Sequence, residues 1–201
     1  MKTFLLLIFL NLCSTLAICQ ASMDLTNEAK IKADSGDFPS AIDLLNKAIE
    51  IDPINEDAYA IRGNILYILD LKREAILNYS QAAKINPNNF SNFLLRGITK
   101  SKMEDYRGAI VDFNKSLELK PDEDLAYFER GMAKASLRDN GALKDLDKAI
   151  ELNPDNPEYF FARGLLRIIV FLEINAGCLD LSKAGELGHL NAYSKIRELC
   201  K

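Results

Sequence analysis

Residues 58–63 read Ala-Tyr-Ala-Ile-Arg-Gly, and the same phrase returns at Asn92-Phe93-Leu94-Leu95-Arg96-Gly97, Ala126-Tyr127-Phe128-Glu129-Arg130-Gly131 and Tyr159-Phe160-Phe161-Ala162-Arg163-Gly164. The glycines stand 34, 34 and 33 residues apart, and so do Pro53, Pro87, Pro121 and Pro154. A period near 34 with a proline at every junction is the mark of stacked helical hairpins. Each phrase belongs to a first helix. Second helices follow at Glu74-Ala75-Ile76, Gly108-Ala109-Ile110 and Gly141-Ala142-Leu143. They close on apolar-acidic stretches such as Ala48-Ile49-Glu50-Ile51-Asp52-Pro53 and Ala149-Ile150-Glu151-Leu152-Asn153-Pro154. The residue before a proline is pushed out of the helical region, which stops the helix there.

These columns predict a core. The aromatic four residues before each glycine (Tyr59, Phe93, Tyr127, Phe160) is expected to wedge between the two helices of its hairpin. The glycine and the downstream Ala75, Ala109 and Ala142 remove bulk so that helix axes come close, and Tyr79, Phe113 and Leu146 fill the second helix. One hairpin cannot bury its apolar face alone, so neighbours must stack.

On these columns the chain resembles the tetratricopeptide repeat family, over about residues 22–188. The resemblance implies an all-α fold, a right-handed α-solenoid of about five stacked hairpins at about 22–55, 56–89, 90–123, 124–156 and 157–188, with a C-terminal capping helix at about 190–201. Repeat one departs in its first helix, where Leu25, Ala29 and Lys32 replace the aromatic, the glycine and a later apolar residue; Gly36-Asp37-Phe38 and Ala41-Ile42 restore the pattern. Repeat four is one residue short in its turn, and repeat five carries a longer apolar turn at Ile168-Ile169-Val170-Phe171-Leu172.

Residues 1–21 read as an export leader: a positive start at Met1-Lys2, an apolar core from Phe4 to Leu12, then small and polar residues. The apolar stretch is short for a membrane span. Cleavage after Cys19 and cleavage after Ala21 both place small residues at the required positions. Leu16-Ala17-Ile18-Cys19 also resembles a bacterial lipoprotein signal, in which Cys19 would carry the lipid, although Ile18 is bulky for that motif. The expected location is the periplasm or the exterior, or the envelope if Cys19 is lipidated, which is also the one route to a membrane. An uncleaved anchor is the remaining alternative.

Composition narrows the function. In 201 residues, 25 Lys+Arg stand against 29 Asp+Glu, a formal charge of −4, which argues against a nucleic-acid partner. There is one histidine, His189, so a His-based metal site or triad has almost nothing to draw on. No catalytic residues, metal site or small-molecule cofactor are expected, and His189 reads as a helix-end or surface residue. Past the leader only Cys178 and Cys200 remain. Their midpoint is residue 189, at the Gly188-His189 turn, so antiparallel helices would bring them level. An oxidising compartment favours a disulfide between them; two buried thiols and a redox pair are the alternatives.

The chain is therefore expected to be a non-catalytic protein–protein scaffold or adaptor, or else a structural accessory subunit of a larger envelope assembly. In the family it resembles, partners lie along a groove lined by first helices. On a helical period, the positions three before, one after and four after each glycine share one face. The expected partner-binding residues are Asn64, Tyr67, Leu94, Ile98, Phe128, Met132, Phe161 and Leu165. The stripe grows more apolar toward the C-terminus. It suits a peptide or helix with bulky side chains, unless the long fifth turn or the cap helix covers it. The clamp of cations and amides that some family members use for carboxylate tails is not expected: only Asn64 fits it, while Ala60, Leu95, Leu125 and Glu129 occupy its other places. Arg62, Arg96, Arg130 and Arg163 read either as a ladder for acidic ligands or as partners of Asp112, Asp145 and Asp180 on second helices.

Overall fold

The computed structural model describes the backbone of residues 2–201 and the side chains of residues 17–201. The fold is all-α, a succession of helical hairpins, with no strand among the described residues. The helices are α1 (Lys2–Asp34), α2 (Phe38–Ile51), α3 (Glu56–Ile68), α4 (Lys72–Ile85), α5 (Phe90–Lys102), α6 (Tyr106–Leu119), α7 (Asp124–Ser136), α8 (Ala142–Leu152), α9 (Pro157–Ile169), α10 (Ile174–Glu186) and α11 (Ala192–Leu199). They fall into two compact units, residues 1–99 and 100–201, with the division inside α5.

In the N-terminal unit α1 pairs with α2 and α3 with α4, while α2 packs on α3. Its core joins Ala29, Ala41, Leu45, Ala48, Ala58 and Ile65. In the C-terminal unit α7 pairs with α8 and α9 with α10; α6 packs on α7, α8 on α9, and α10 on α11. Small residues allow the closest approach. A Cβ added at Gly164 would stand 2.9 Å from the Gly177 carbonyl oxygen, so α9 and α10 touch backbone to backbone. A disulfide joins Cys178 on α10 to Cys200 just past α11, with Cα atoms 5.9 Å apart.

The helix starts are capped by side chains. The carboxylate or amide oxygens of Asp37, Asn55, Asp105 and Asn156 accept the amide N–H groups of Ser40, Ala58, Gly108 and Glu158, donors that no helical carbonyl can reach. Within each hairpin the turn places one residue in the left-handed region: Gly36, Asp70, Glu104, Arg138 and Leu172, again 34 residues apart. Only the first is a glycine.

Two expectations are corrected. The aromatic column is not the buried wedge. Tyr59, Phe93, Tyr127 and Phe160 are half-buried, and each carries an arginine guanidinium over its face at 5.2–5.6 Å. The deep filling comes from Tyr79, Phe113 and Leu146, all at most 1 % exposed. The fifth turn starts later than expected: Ile168 is buried inside α9, and the chain leaves the helix at Val170. Two acidic residues at helix starts, Glu56 and Asp124, reach the junction that follows their hairpin. Asn86, Asn89 and Asn92 donate to Glu56 at 2.5–2.6 Å, and Asn153 and Tyr159 donate to Asp124 at 2.9 Å. Each of these carboxylates thus ties its helix to the following junction.

The leader expected at residues 1–21 lies largely outside the residues whose side chains are described; the α1 backbone runs unbroken across its end. Among the described residues no helix is long and apolar enough to cross a membrane.

Candidate binding groove

Burial divides each first helix into faces. Positions five before and two after the glycine are buried in every copy: Ala58 and Ile65, Asn92 and Thr99, Ala126 and Ala133, Tyr159 and Leu166. The glycines Gly63, Gly131 and Gly164 look onto the second helix of their own hairpin, at Tyr79, Leu146 and Leu181. What stays open is centred one residue after the glycine, at Asn64, Ile98, Met132 and Leu165.

In the N-terminal unit this face forms a depression of about 360 Å³ lined by Asn64, Tyr67, Ile68, Leu95 and Ile98, with Tyr79 and Thr99 at its floor. Asn64 is held there because its Oδ1 accepts the Tyr79 hydroxyl at 2.8 Å. Burial of that ring raises the hydroxyl's pKa well above the ordinary tyrosine range. In the C-terminal unit an apolar hollow of about 330 Å³ is walled by Met132, Phe161, Leu165, Ile169 and Val170, with Glu158 at its edge. A neighbouring polar hollow of about 300 Å³ shares Met132 and is lined by Ser101, Lys102, Glu104 and Glu129.

Six of the eight residues expected on the groove line these hollows. Leu94 and Phe128 do not. Leu94 is only 6 % exposed; Phe128 stacks on Tyr159 with ring centroids 4.8 Å apart and packs on the Ala142, Leu146 and Leu166 cluster. Three residues before the glycine is only about 60° around the helix from it, so a large side chain there leans into its own hairpin. Phe161, in the same column, is partly covered: His189 stacks on it at 3.8 Å, held by Glu158 through Nε2 at 3.1 Å and by the Asn191 N–H at Nδ1. Leu95 and Glu129, two residues before the glycine, are the groove residues the stripe missed. The signal was available: that position lies about 60° beyond the most open one.

The arginine column faces second helices, as one of its two readings held. Arg130 forks onto Asp145 at 2.7 and 2.8 Å, and Arg163 onto Asp180 at 2.6 and 2.9 Å. Arg62 instead donates to the amide oxygens of Asn78 and Asn46.

Family models described as tetratricopeptide repeat match residues 26–90 and 91–123, and one described as TPR repeat matches residues 138–167. The chain is a tetratricopeptide repeat protein. Solved structures of other tetratricopeptide repeat proteins share its fold. MamA from Desulfovibrio magneticus RS-1 is 18% identical, with 83% of this chain and 94% of that one covered at a TM-score of 0.76. YrrB, described as a TPR protein with an unusual peptide-binding site, is 22% identical, covering 86% and 90% at 0.72. PilF from Pseudomonas aeruginosa is 19% identical, covering 89% and 81% at 0.77. No protein of curated function matches the chain. Among the described residues no group of three or more His, Cys, Asp or Glu side chains could hold a metal ion.

Proposed function

We propose that this tetratricopeptide repeat protein is a non-catalytic adaptor of an oxidising compartment outside the cytoplasm, holding a segment of another polypeptide in the groove of its first helices. The observation that carries this is the apolar hollow of Met132, Phe161, Leu165 and Ile169. Large apolar side chains left partly open on one face of a helical array suit bulky ligand side chains. The Cys178–Cys200 bond supports the compartment. YrrB's description as peptide-binding supports the class of ligand. A photo-crosslinking residue placed at Leu165 in the native cell should capture a discrete protein partner, while the same residue at exposed Val111 on α6 should not. Equal capture at both positions would defeat the groove reading.

The leader belongs to this reading, and the structure bears on its end. Ser22 is fully buried; its hydroxyl donates to the Ala48 carbonyl and accepts from Asn55, both at 2.8 Å. Cleavage after Ala21 would put a new ammonium on this residue, whereas cleavage after Cys19 leaves Gln20 and Ala21 ahead of it. The mature chain is therefore expected to begin at Gln20, or at Cys19 if that exposed cysteine carries a lipid. The intact mass of the exported protein distinguishes these, and a mass starting at Ser22 would contradict both.

The alternative, an accessory subunit docking through its C-terminal end, is favoured by one observation: Leu172, Leu179 and Leu190 stand open at that end, the last of them 95% exposed.

A further inference from the structure

Met132 separates two hollows of unlike character on one face of the C-terminal unit. On one side Phe161, Leu165 and Ile169 offer only apolar surface. On the other lie Glu104 and Glu129, with Lys102 as the cation of that hollow. The remaining carboxylate of the face, Glu158, is engaged by His189. Glu129 has no hydrogen bond or ion pair among the described residues. Burial raises its pKa, and Lys102 offsets this only in part. A carboxylate drawn out of water without a partner is costly, and a cation delivered by a ligand would relieve it. The face thus presents an apolar socket beside an unpaired negative charge.

We propose that the C-terminal groove takes a basic amphipathic polypeptide segment, with a bulky apolar side chain in the Phe161–Leu165 hollow and a Lys or Arg of the same segment paired with Glu129 across Met132. This rests on the groove reading above and adds the sign of the ligand's charge. An acidic segment meets like charge at Glu104 and Glu129. A purely apolar one leaves Glu129 buried and unpaired.

The test uses the full chain and three fluorescein-labelled amphipathic peptides of equal length, built of Leu with Lys, Leu with Glu, and Leu with Ser, read by fluorescence anisotropy at low salt. The Leu/Lys peptide should bind about fivefold or more tightly than the Leu/Ser peptide, as expected for a complementary charge at a half-buried site. Glu129→Gln should erase that margin, and Glu129→Lys should transfer the preference to the Leu/Glu peptide. Leu165→Asn, a neutral change inside the apolar hollow, should weaken all three, with circular dichroism confirming that each variant remains helical. Equal binding of the three peptides, still sensitive to Leu165→Asn, overturns the charge assignment and leaves the groove reading standing. A Lys preference that survives Glu129→Gln also overturns it, since the attraction then comes from the overall negative charge. Binding insensitive to Leu165→Asn overturns both.

Discussion

The hairpins α3–α4 and α9–α10 occupy equivalent places in the repeat but are locked by different chemistry. In the first, Arg62 donates to two amide oxygens, of Asn78 and Asn46, and the residue four further along α3 is Leu66. In the second, Arg163 forks onto Asp180 and the equivalent of Leu66 is Arg167, which donates to the same carboxylate at 2.6 Å. The α7–α8 hairpin follows the second pattern, with Arg130 and Lys134 both on Asp145. Where the second helix offers a neutral amide, the first supplies one cation and an apolar residue; where it offers a buried aspartate, the first supplies two cations. The arginines register the difference. At Arg62 burial lowers the pKa, with Tyr59 opposing it. At Arg163 burial acts the same way, but bonds to Asp180 and Asp147 outweigh it and the pKa is raised. A conserved geometry therefore does not imply a conserved energy source: one hairpin is held by a guanidinium on neutral amide oxygens and the other by a compact ionic cluster.

The largest expected effect follows from that contrast. Asp180→Ala removes the buried carboxylate from between two neighbouring guanidinium groups and leaves them only the exposed Asp147 in common, at a cost of about 3 kcal/mol. Asn78→Ala removes one neutral acceptor from a guanidinium that keeps its bond to Asn46, and costs about 1.5 kcal/mol. Urea unfolding of the two variants measures the difference. Equal losses would mean that the ionic cluster contributes no more than the amide pair, and the comparison would fail.

A smaller effect separates the turns. Gly36 and Leu172 both adopt left-handed backbone, at φ of 82° and 58°. Glycine does so at no steric cost, whereas a side chain there costs about 1 kcal/mol. Leu172 is 78% exposed, so it recovers nothing by packing. Leu172→Gly is expected to raise the thermal midpoint by several degrees and Gly36→Ala to lower it. A fall for Leu172→Gly would show that the chain's added freedom when unfolded outweighs the relieved strain.

These comparisons also show what the sequence could reveal. The period of 34, the hairpins and the close-packed glycine face were legible because each is written several times in identical residue types. The pairing of Cys178 with Cys200 needed only the assumption of antiparallel helices about residue 189. Three features were hidden. The left-handed column of Gly36, Asp70, Glu104, Arg138 and Leu172 shares a position but no residue type, because the turn is enforced by the helices on either side. The contacts of Glu56 with Asn86 and of Asp124 with Asn153 link residues 30 and 29 apart in sequence, a spacing that only stacked repeats bring together. Leu94 and Phe128 carry the apolar character of a groove residue, yet a rotation of about 60° turns them inward.

Glu129 gives the smallest effect and the one most specific to the C-terminal unit. Its pKa in the folded chain is raised, chiefly by burial, with Lys102 acting in the opposite direction. The folded state therefore holds a proton more tightly than the unfolded state, where a glutamate titrates near ~4.3. Stability must then fall as pH rises from that value through the folded pKa, and the penalty is fully present at neutral pH. Below the unfolded value both states are protonated and the penalty disappears. Glu129→Gln, which keeps the shape and removes the charge, should melt about 1–2 °C above the parent at pH 7 and level with it at pH 3. The N-terminal unit places Ile61 and Leu95 in the same column, so this dependence has no counterpart there. A variant that gains equally at both pH values would be responding to packing, and the unpaired carboxylate would lose its place as the feature that distinguishes the two grooves.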